Sequence, residues 1–394
     1  ALSQTLENLG LAEMTGEDEA LRLADVVMAW NIFQHFYPYF DVVDTNWDQV
    51  LTTALDRALT GASDEDLLAT LRWMVSELQD GHGYVAGPLP PPAELNVRLD
   101  WIEDQVVVVA VGEGIPLQVG DVIVSVDGVP AAQVLQDFSA TFSGSPQWRR
   151  WRGLNQFTAG PDGSEMSLEV GRSSGDLTLT LIRETKPLTA TEPRPEEIEE
   201  LEPGIFYVNL DLVELAAFQE RVEELAAADG VIFDLRGYPN GNHLALTHLT
   251  DEHLNSAFWQ VPQIIYPDHD GEARFAESRW DLPPSEPRFQ GTIVFLTGGR
   301  AISYAESVMG IVEYYRLGEI VGQTTAGANG NVNPFTLPGG YRFSWTGMRV
   351  IKHDGTQHHT VGIQPTIPMT RTVQGVREGR DELLEKALEV IRGG

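Results

Sequence analysis

The stretch GTIVFLTGGRAISYAESVMG, residues 291–310, decides how this chain is read. An apolar run stops at Gly298-Gly299, and beyond Ser303 the apolar residues recur at helical spacing. This pattern is a buried strand turning abruptly into a helix, with Ser303 at the turn. Two roles fit that serine. With Glu306 three residues on, it matches the S-x-x-E capping box, in which the hydroxyl serves the free N–H groups of the first turn. Alternatively, the turn lifts a nucleophilic hydroxyl above the sheet edge while the helix N-terminus offers its N–H groups to a developing oxyanion. Both roles predict the same local geometry, so the surrounding sequence has to separate them.

Working outward, GIFYVNL (204–210) reads as a strand, LAAFQERVEELAAA (215–228) as an amphipathic helix and GVIFDLRG (230–237) as a buried strand. NHLALTHLT (242–250) is expected to be a helix, GEIVGQTT (318–325) holds a short strand, and GRDELLEKALEVIRG (379–393) is a closing helix. Strands alternating with helices in this way predict a three-layer or crotonase-like α/β core. It is preceded by two other kinds of sequence. Residues 19–79 carry helical periodicity in three segments, broken at Pro38 and restarted at Ser63, an N-cap followed by acidic residues. GPLPPPAEL (87–95) is a linker that can neither continue a helix nor pair as a central strand. From there to Thr185 the text is short β-rich runs, QVVVVAV, DVIVSVDG, SLEV and LTLTLI, with one helix near AAQVLQDFSATF. The expected units are a helical domain at 1–88, a small β-domain at 89–187 and the α/β domain at 188–394.

A length of 394 residues exceeds the roughly 250–300 at which one core stops growing, which agrees with several domains. The net charge of −32, from 58 acidic and 26 basic residues, argues against nucleic acid or an anionic membrane as a partner. No stretch approaches the roughly 18 apolar residues of a membrane span. The absence of Cys excludes thiolate catalysis, disulfides and Cys-ligated zinc. With a first residue of Ala1 rather than Met, it also fits an expectation of a bacterial periplasmic or secreted protein. Oligomeric state is not legible here.

Three further stretches could carry chemistry. VIFDLRGYPNGN (231–242) ends a strand in a loop where Gly237 and Gly241 let backbone approach a ligand, although a plain turn accounts for it equally. VGQTTAGANGNVNPFTLPGG (321–340) reads locally as a long surface loop. In LQDGHGYV (78–85), glycines on both sides leave the His82 imidazole free to project as a general base. HDGTQHHT (353–360) lacks metal-ligand spacing and its adjacent histidines would face opposite ways on a strand, so no metal or other cofactor is assigned.

In their order, these stretches resemble the tail-specific, or C-terminal processing, serine peptidases, a group that includes the tricorn core protease and the modules of interphotoreceptor retinoid-binding protein. The resemblance runs from the D-G-H turn through PLQVGDVIVSVDGVPA (116–131), DLRG with NG, AISYAES and VGQTTAGANG to GIQP (362–365). It implies a multidomain α/β protein: a helical N-terminal domain, a PDZ-like β-domain and a ClpP/crotonase-like catalytic domain. It also implies hydrolysis of peptides or unfolded proteins without a cofactor. The nucleophile falls on Ser303, and the oxyanion donors on the amides of Tyr304 and Gly241, with Gly237 as the second choice of glycine.

The general base departs from part of that family. Its Ser-Lys members place a lysine twenty-five residues after the serine, where this chain has Ala328, and none of the three lysines (186, 352, 386) matches. The tricorn-like branch takes a histidine from the turn matching D-G-H, which implies His82. Gly81 stands where that branch has a serine, and Gln364 lies near its late acidic residue. Glu306 is the first candidate to orient His82, with Asp80 and Gln364 as the others. These departures also keep open a catalytically inactive module that binds an apolar ligand or peptide, as in the retinoid-binding relatives. An acyl-CoA enzyme of the crotonase type is a third reading, one that has no need of the β-domain.

Overall fold

The computed structural model describes residues 14–263 and 274–393; residues 1–13, which open the expected helical domain, lie outside it. Helices Glu19–Phe36, Trp47–Thr60 and Asp64–Ser76 occupy the three periodic segments. Ser63 caps the third as expected: its hydroxyl accepts from the Asp66 amide at 3.1 Å, and three acidic residues fill the first turn.

These helices do not close a core among themselves. Phe33, Trp47, Leu71 and Met74 pack with Leu337, Tyr341, Phe343 and Trp345, which belong to the antiparallel hairpin Val332–Leu337 and Tyr341–Thr346. Phe33 meets Trp345 edge-on with ring centres 6.0 Å apart, a favoured geometry for aromatic pairs. The strand Tyr84–Ala86 then joins the hairpin antiparallel, with Tyr84 opposite Ser344 and Val85 opposite Phe343. Sequence neighbours of His82 are thereby stitched to residues some 260 positions later.

The second unit is an antiparallel sheet ordered Val97–Ile102, Gln105–Val111, Val122–Val126, Glu165–Gly171, Leu177–Ile182. After Gln105, strand Gln105–Val111 is an unbroken apolar run because both faces of Val106–Ala110 are covered. Val106 and Val108 face the unit's own core with Leu135, Leu154 and Leu168. Val107 and Val109 meet Val373 and Val376 from near the chain's C-terminus, as the two-residue period of a strand dictates. Besides the expected helix Ala131–Ala140 there is a second, Pro146–Asn155, capped by Ser145 with proline in its first turn.

The third unit is a six-stranded sheet ordered Ile367–Pro368, Glu319–Gly322, Thr292–Thr297, Gly230–Leu235, Ile205–Asn209, Ile198–Glu202. All neighbours run parallel except the last pair. One face packs Val208, Phe233 and Phe295 against Phe218, Val308 and Val312 of helices Leu215–Ala226 and Tyr304–Tyr315. The other packs Tyr207, Ile232, Val294 and Val321 against Leu383, Ala387 and Ile391 of helix Glu382–Gly393. Burial on both faces explains why the parallel strands read as unbroken apolar runs. Residues 242–250 depart from the expected helix: His243–His248 is a 3-10 turn. The Asn242 side chain donates to the carbonyls of Leu210 and Val213 rather than capping a longer helix.

Candidate active site

Ser303 sits between strand Thr292–Thr297 and helix Tyr304–Tyr315. Its backbone has φ 58° and ψ −111°, a region costing a non-glycine residue about 1–3 kcal/mol unless the surroundings enforce it. They do enforce it. The Ser303 amide donates to the Ala328 carbonyl at 2.9 Å, and the Ser303 carbonyl accepts from the Ser307 amide at 2.9 Å. The capping role fails, because the Ser303 side chain makes no cap hydrogen bond. Its hydroxyl is left for other work.

Glu306 is not the capping-box partner either. Its carboxylate, 1% exposed, accepts from the amides of Gly327 at 2.7 Å and Ala328 at 2.8 Å and from the Thr325 hydroxyl, with His358 Nε2 at 3.3 Å. Burial alone would raise this carboxyl's pKa; the His358 ring, then the Thr325 and Gly327 donors, outweigh it and bring the pKa below the ordinary value. The loop read from sequence as a surface element is therefore a buried one: residues 325–330 are all inaccessible, and Glu306 supplies the acceptor their amides need.

Ala328 is where the two halves of the site meet. Its carbonyl holds Ser303, its amide is held by Glu306, and its methyl group abuts Gly81, where an added Cβ would stand 2.6 Å away. The serine that the tricorn-like pattern would put at 81 has no room here. Nor does a lysine at 328, since Ala328 is fully buried.

One residue on, His82 is partly buried, and its Nδ1 lies 2.8 Å from the Thr346 hydroxyl. Asp80, fully buried, accepts from the Thr346 hydroxyl at 2.6 Å, from the Thr346 amide at 2.6 Å and from the His82 amide at 3.0 Å. The expectation that Glu306 orients His82 is thus corrected: its oxygens are committed elsewhere, and it reaches His82 only through space. Burial lowers the His82 pKa below its ordinary 6.5, against the opposing fields of Asp80 and Glu306. Among the described residues no hydrogen bond joins Ser303 to His82. Gln364 binds Thr324 and the Val361 carbonyl instead of His82.

The glycine loop lies on the other side of Ser303. Gly241 has φ +70° with open space around its Cβ position, so its backbone angle, not crowding, calls for glycine. Gly237 is packed shut: an added Cβ would meet Asp211 Oδ2 at 2.0 Å and Arg300 Nη2 at 2.4 Å, two partners of a 3.0 Å ion pair. His243 ties the loop to the helix start, its amide donating to the Tyr304 hydroxyl at 3.1 Å and its Nδ1 lying 2.8 Å from it, while its ring stacks on Trp280. The DLRG residues serve the scaffold. Asp234, fully buried, takes Arg236 at 2.6 Å, Arg194 at 2.9 Å and the Tyr207 hydroxyl at 2.8 Å, and Arg236 continues to Asp381 at 2.7 Å. The late histidines are dispersed: His353 stacks on Tyr314, His358 faces Glu306 and His359 stacks on Tyr39.

A parallel sheet carrying a strained serine at a strand-to-helix turn has a counterpart by sequence. Residues 205–369 match peptidase family S41. The matched stretch takes in Ser303 and the glycine loop, so this part of the chain is similar to that family. With that match the chain is a serine-type peptidase. Its fold is shared with mature CPAF complexed with lactacystin (14% identity, TM-score 0.77, covering 95% of this chain and 98% of that one). A protein from Parabacteroides merdae is similar over 96% of this chain and 97% of its own, at 16% identity and a TM-score of 0.55. The photosystem II D1 C-terminal processing protease matches over 91% and 98%, at 17% and 0.50. No curated protein matches this chain by sequence. Sequence reasoning missed Thr346 and His243; neither carries a local signal, and each acts through a partner far away in the chain.

Proposed function

We propose that this peptidase cleaves peptides or unfolded proteins by acyl transfer, with Ser303 as nucleophile and His82 as general base. The observation that carries the reading is the Ser303 backbone, held at φ 58° with its hydroxyl excluded from helix capping. Strain of this kind is kept where the surroundings hold a side chain for use. In the first step Ser303 Oγ forms a bond to the scissile carbonyl carbon as its proton passes to His82 Nε2. The carbonyl oxygen becomes an oxyanion received by the amides of Tyr304 and Gly241. Neither amide has a hydrogen-bond partner among the described residues, and the first belongs to a helix N-terminus, whose dipole favours negative charge. Collapse breaks the C–N bond, and His82 returns the proton to the leaving amine. Water, deprotonated by the same ring, then releases the acyl group.

In this reading residues 89–187 are a PDZ-like unit presenting substrate, 188–394 a crotonase-like catalytic unit, and 1–88 the helical unit that delivers His82. The test is cleavage of a chemically unfolded protein by the parent and by Ser303→Ala. Loss of at least about 10³ in rate is expected. An unchanged rate in the variant would remove Ser303 from the mechanism.

A further inference from the structure

A base that takes the Ser303 proton must present an unprotonated Nε2, which requires the proton of the neutral ring to be on Nδ1. What faces Nδ1 here is a hydroxyl, not a carboxylate. The Thr346 hydroxyl has one proton and two partners, Asp80 Oδ1 at 2.6 Å and His82 Nδ1 at 2.8 Å. Asp80 already accepts the amides of His82 and Thr346 on its two oxygens, so at Thr346 it is again the acceptor. The threonine's proton is therefore spent on Asp80, and toward His82 it can only accept. We propose that Asp80 and Thr346 act as a positioning pair that fixes His82 in the Nδ1–H tautomer and leaves its Nε2 lone pair to Ser303. This rests on the reading of His82 as the base.

The pair is built rigidly. Asp80 and Thr346 are both fully buried. The Asp80 amide donates to Ser143 Oγ at 2.7 Å, and that hydroxyl donates to the Val75 carbonyl at 2.7 Å, pinning the turn to the end of helix Asp64–Ser76. Thr346 ends the strand that pairs with Tyr84–Ala86, and the Ser344 hydroxyl donates to the His82 carbonyl at 2.9 Å. A neutral hydroxyl between ring and carboxylate keeps the tautomer but delivers less stabilisation to an imidazolium than direct carboxylate contact. The charged and titratable groups acting on the ring are Asp80, Glu306 and His359.

Two measurements test this. In Ser303→Ala protein, long-range ¹⁵N–¹H spectra of the His82 ring above its pKa are expected to show the proton on Nδ1; a proton on Nε2 would overturn the proposal. In the active enzyme, Thr346→Val is expected to lower kcat by on the order of 10²-fold with KM little changed. Thr346→Ser should restore it to within a few-fold. Asp80→Asn, whose amide can donate to Thr346 and turn that hydroxyl toward Nδ1, should lose activity and move the spectrum to the Nε2–H form. Parental kcat in Thr346→Val, with His82→Ala inactive, would remove the positioning pair and leave the base in place. Parental activity in His82→Ala would instead remove the base itself.

Discussion

Gly81 and Ala328 are packed so closely that a Cβ on residue 81 would stand 2.6 Å from the Cβ of Ala328. Through this contact the turn bearing His82 meets the loop that holds the Ser303 amide, and through it the two residues that depart from the family patterns explain one another. A serine before the histidine and a lysine in the loop each need the space that the other partner fills.

Restoring the tricorn-like serine should accordingly harm the enzyme. Gly81→Ser is expected to force the turn and the loop apart, costing about 1–3 kcal/mol of stability and lowering kcat at least tenfold. Thermal unfolding and steady-state kinetics check this; a variant as stable and as active as the parent would refute the packing argument.

Activity should persist into mildly acid solution. Burial lowers the His82 pKa below 6.5, with Asp80 and Glu306 opposing. The ring then stays neutral, and competent as a base, as pH falls through 6.5, and protonates only below that. The acidic limb of kcat/KM against pH should fall below 6.5, and a limb at or above that value would contradict the burial account.

A separate pH effect belongs to stability. Asp25 is fully buried on helix Glu19–Phe36, both its carboxylate oxygens are unpartnered among the described residues, and burial raises its pKa from 3.8 to about 7. The unfolded chain loses this proton near pH 3.8 while the fold keeps it to about 7, so its contribution is full below the lower value and is lost as pH rises through the higher. Asp25→Asn should stabilise the protein at pH 8 by on the order of 2–4 kcal/mol and change it little at pH 4. Denaturant titrations at both pH values measure the difference; equal effects would show that desolvation of this carboxylate is not the cause.

Glu306 acts on the serine through the loop. Glu306→Gln keeps the size but leaves one acceptor oxygen where two took the amides of Gly327 and Ala328 and the Thr325 hydroxyl. A loss of about 1–3 kcal/mol in stability is expected, with slower covalent labelling of Ser303 and an acidic limb moved by less than its loss of rate. A large shift of the limb with unchanged stability would place Glu306 beside His82 instead.

What could be read from the sequence alone was what local chemistry writes. The strand-to-helix turn at Ser303, the Ser63 cap and the unbroken apolar strands follow from period and capping. The helix Pro146–Asn155 also carries a local signal, Ser145 followed by Pro146, in a short and weakly periodic segment. Two other features were not local. The capping-box pattern at Ser303 and Glu306 was present but unused, because buried loop amides from residues 327 and 328 claimed the carboxylate. Thr346 meets His82 across a separation of 264 residues, through a hairpin that shares its core with the N-terminal helices. No spacing rule reaches that far.

The central claim, a serine activated by a histidine from a distant segment, is tested most directly by the intact mass of the protein after treatment with a fluorophosphonate. A single adduct on the parent, absent from Ser303→Ala and lost or strongly slowed in folded His82→Ala, is the predicted result. An adduct that survives Ser303→Ala, or a folded parent that takes no label even with peptide substrates present, would contradict it.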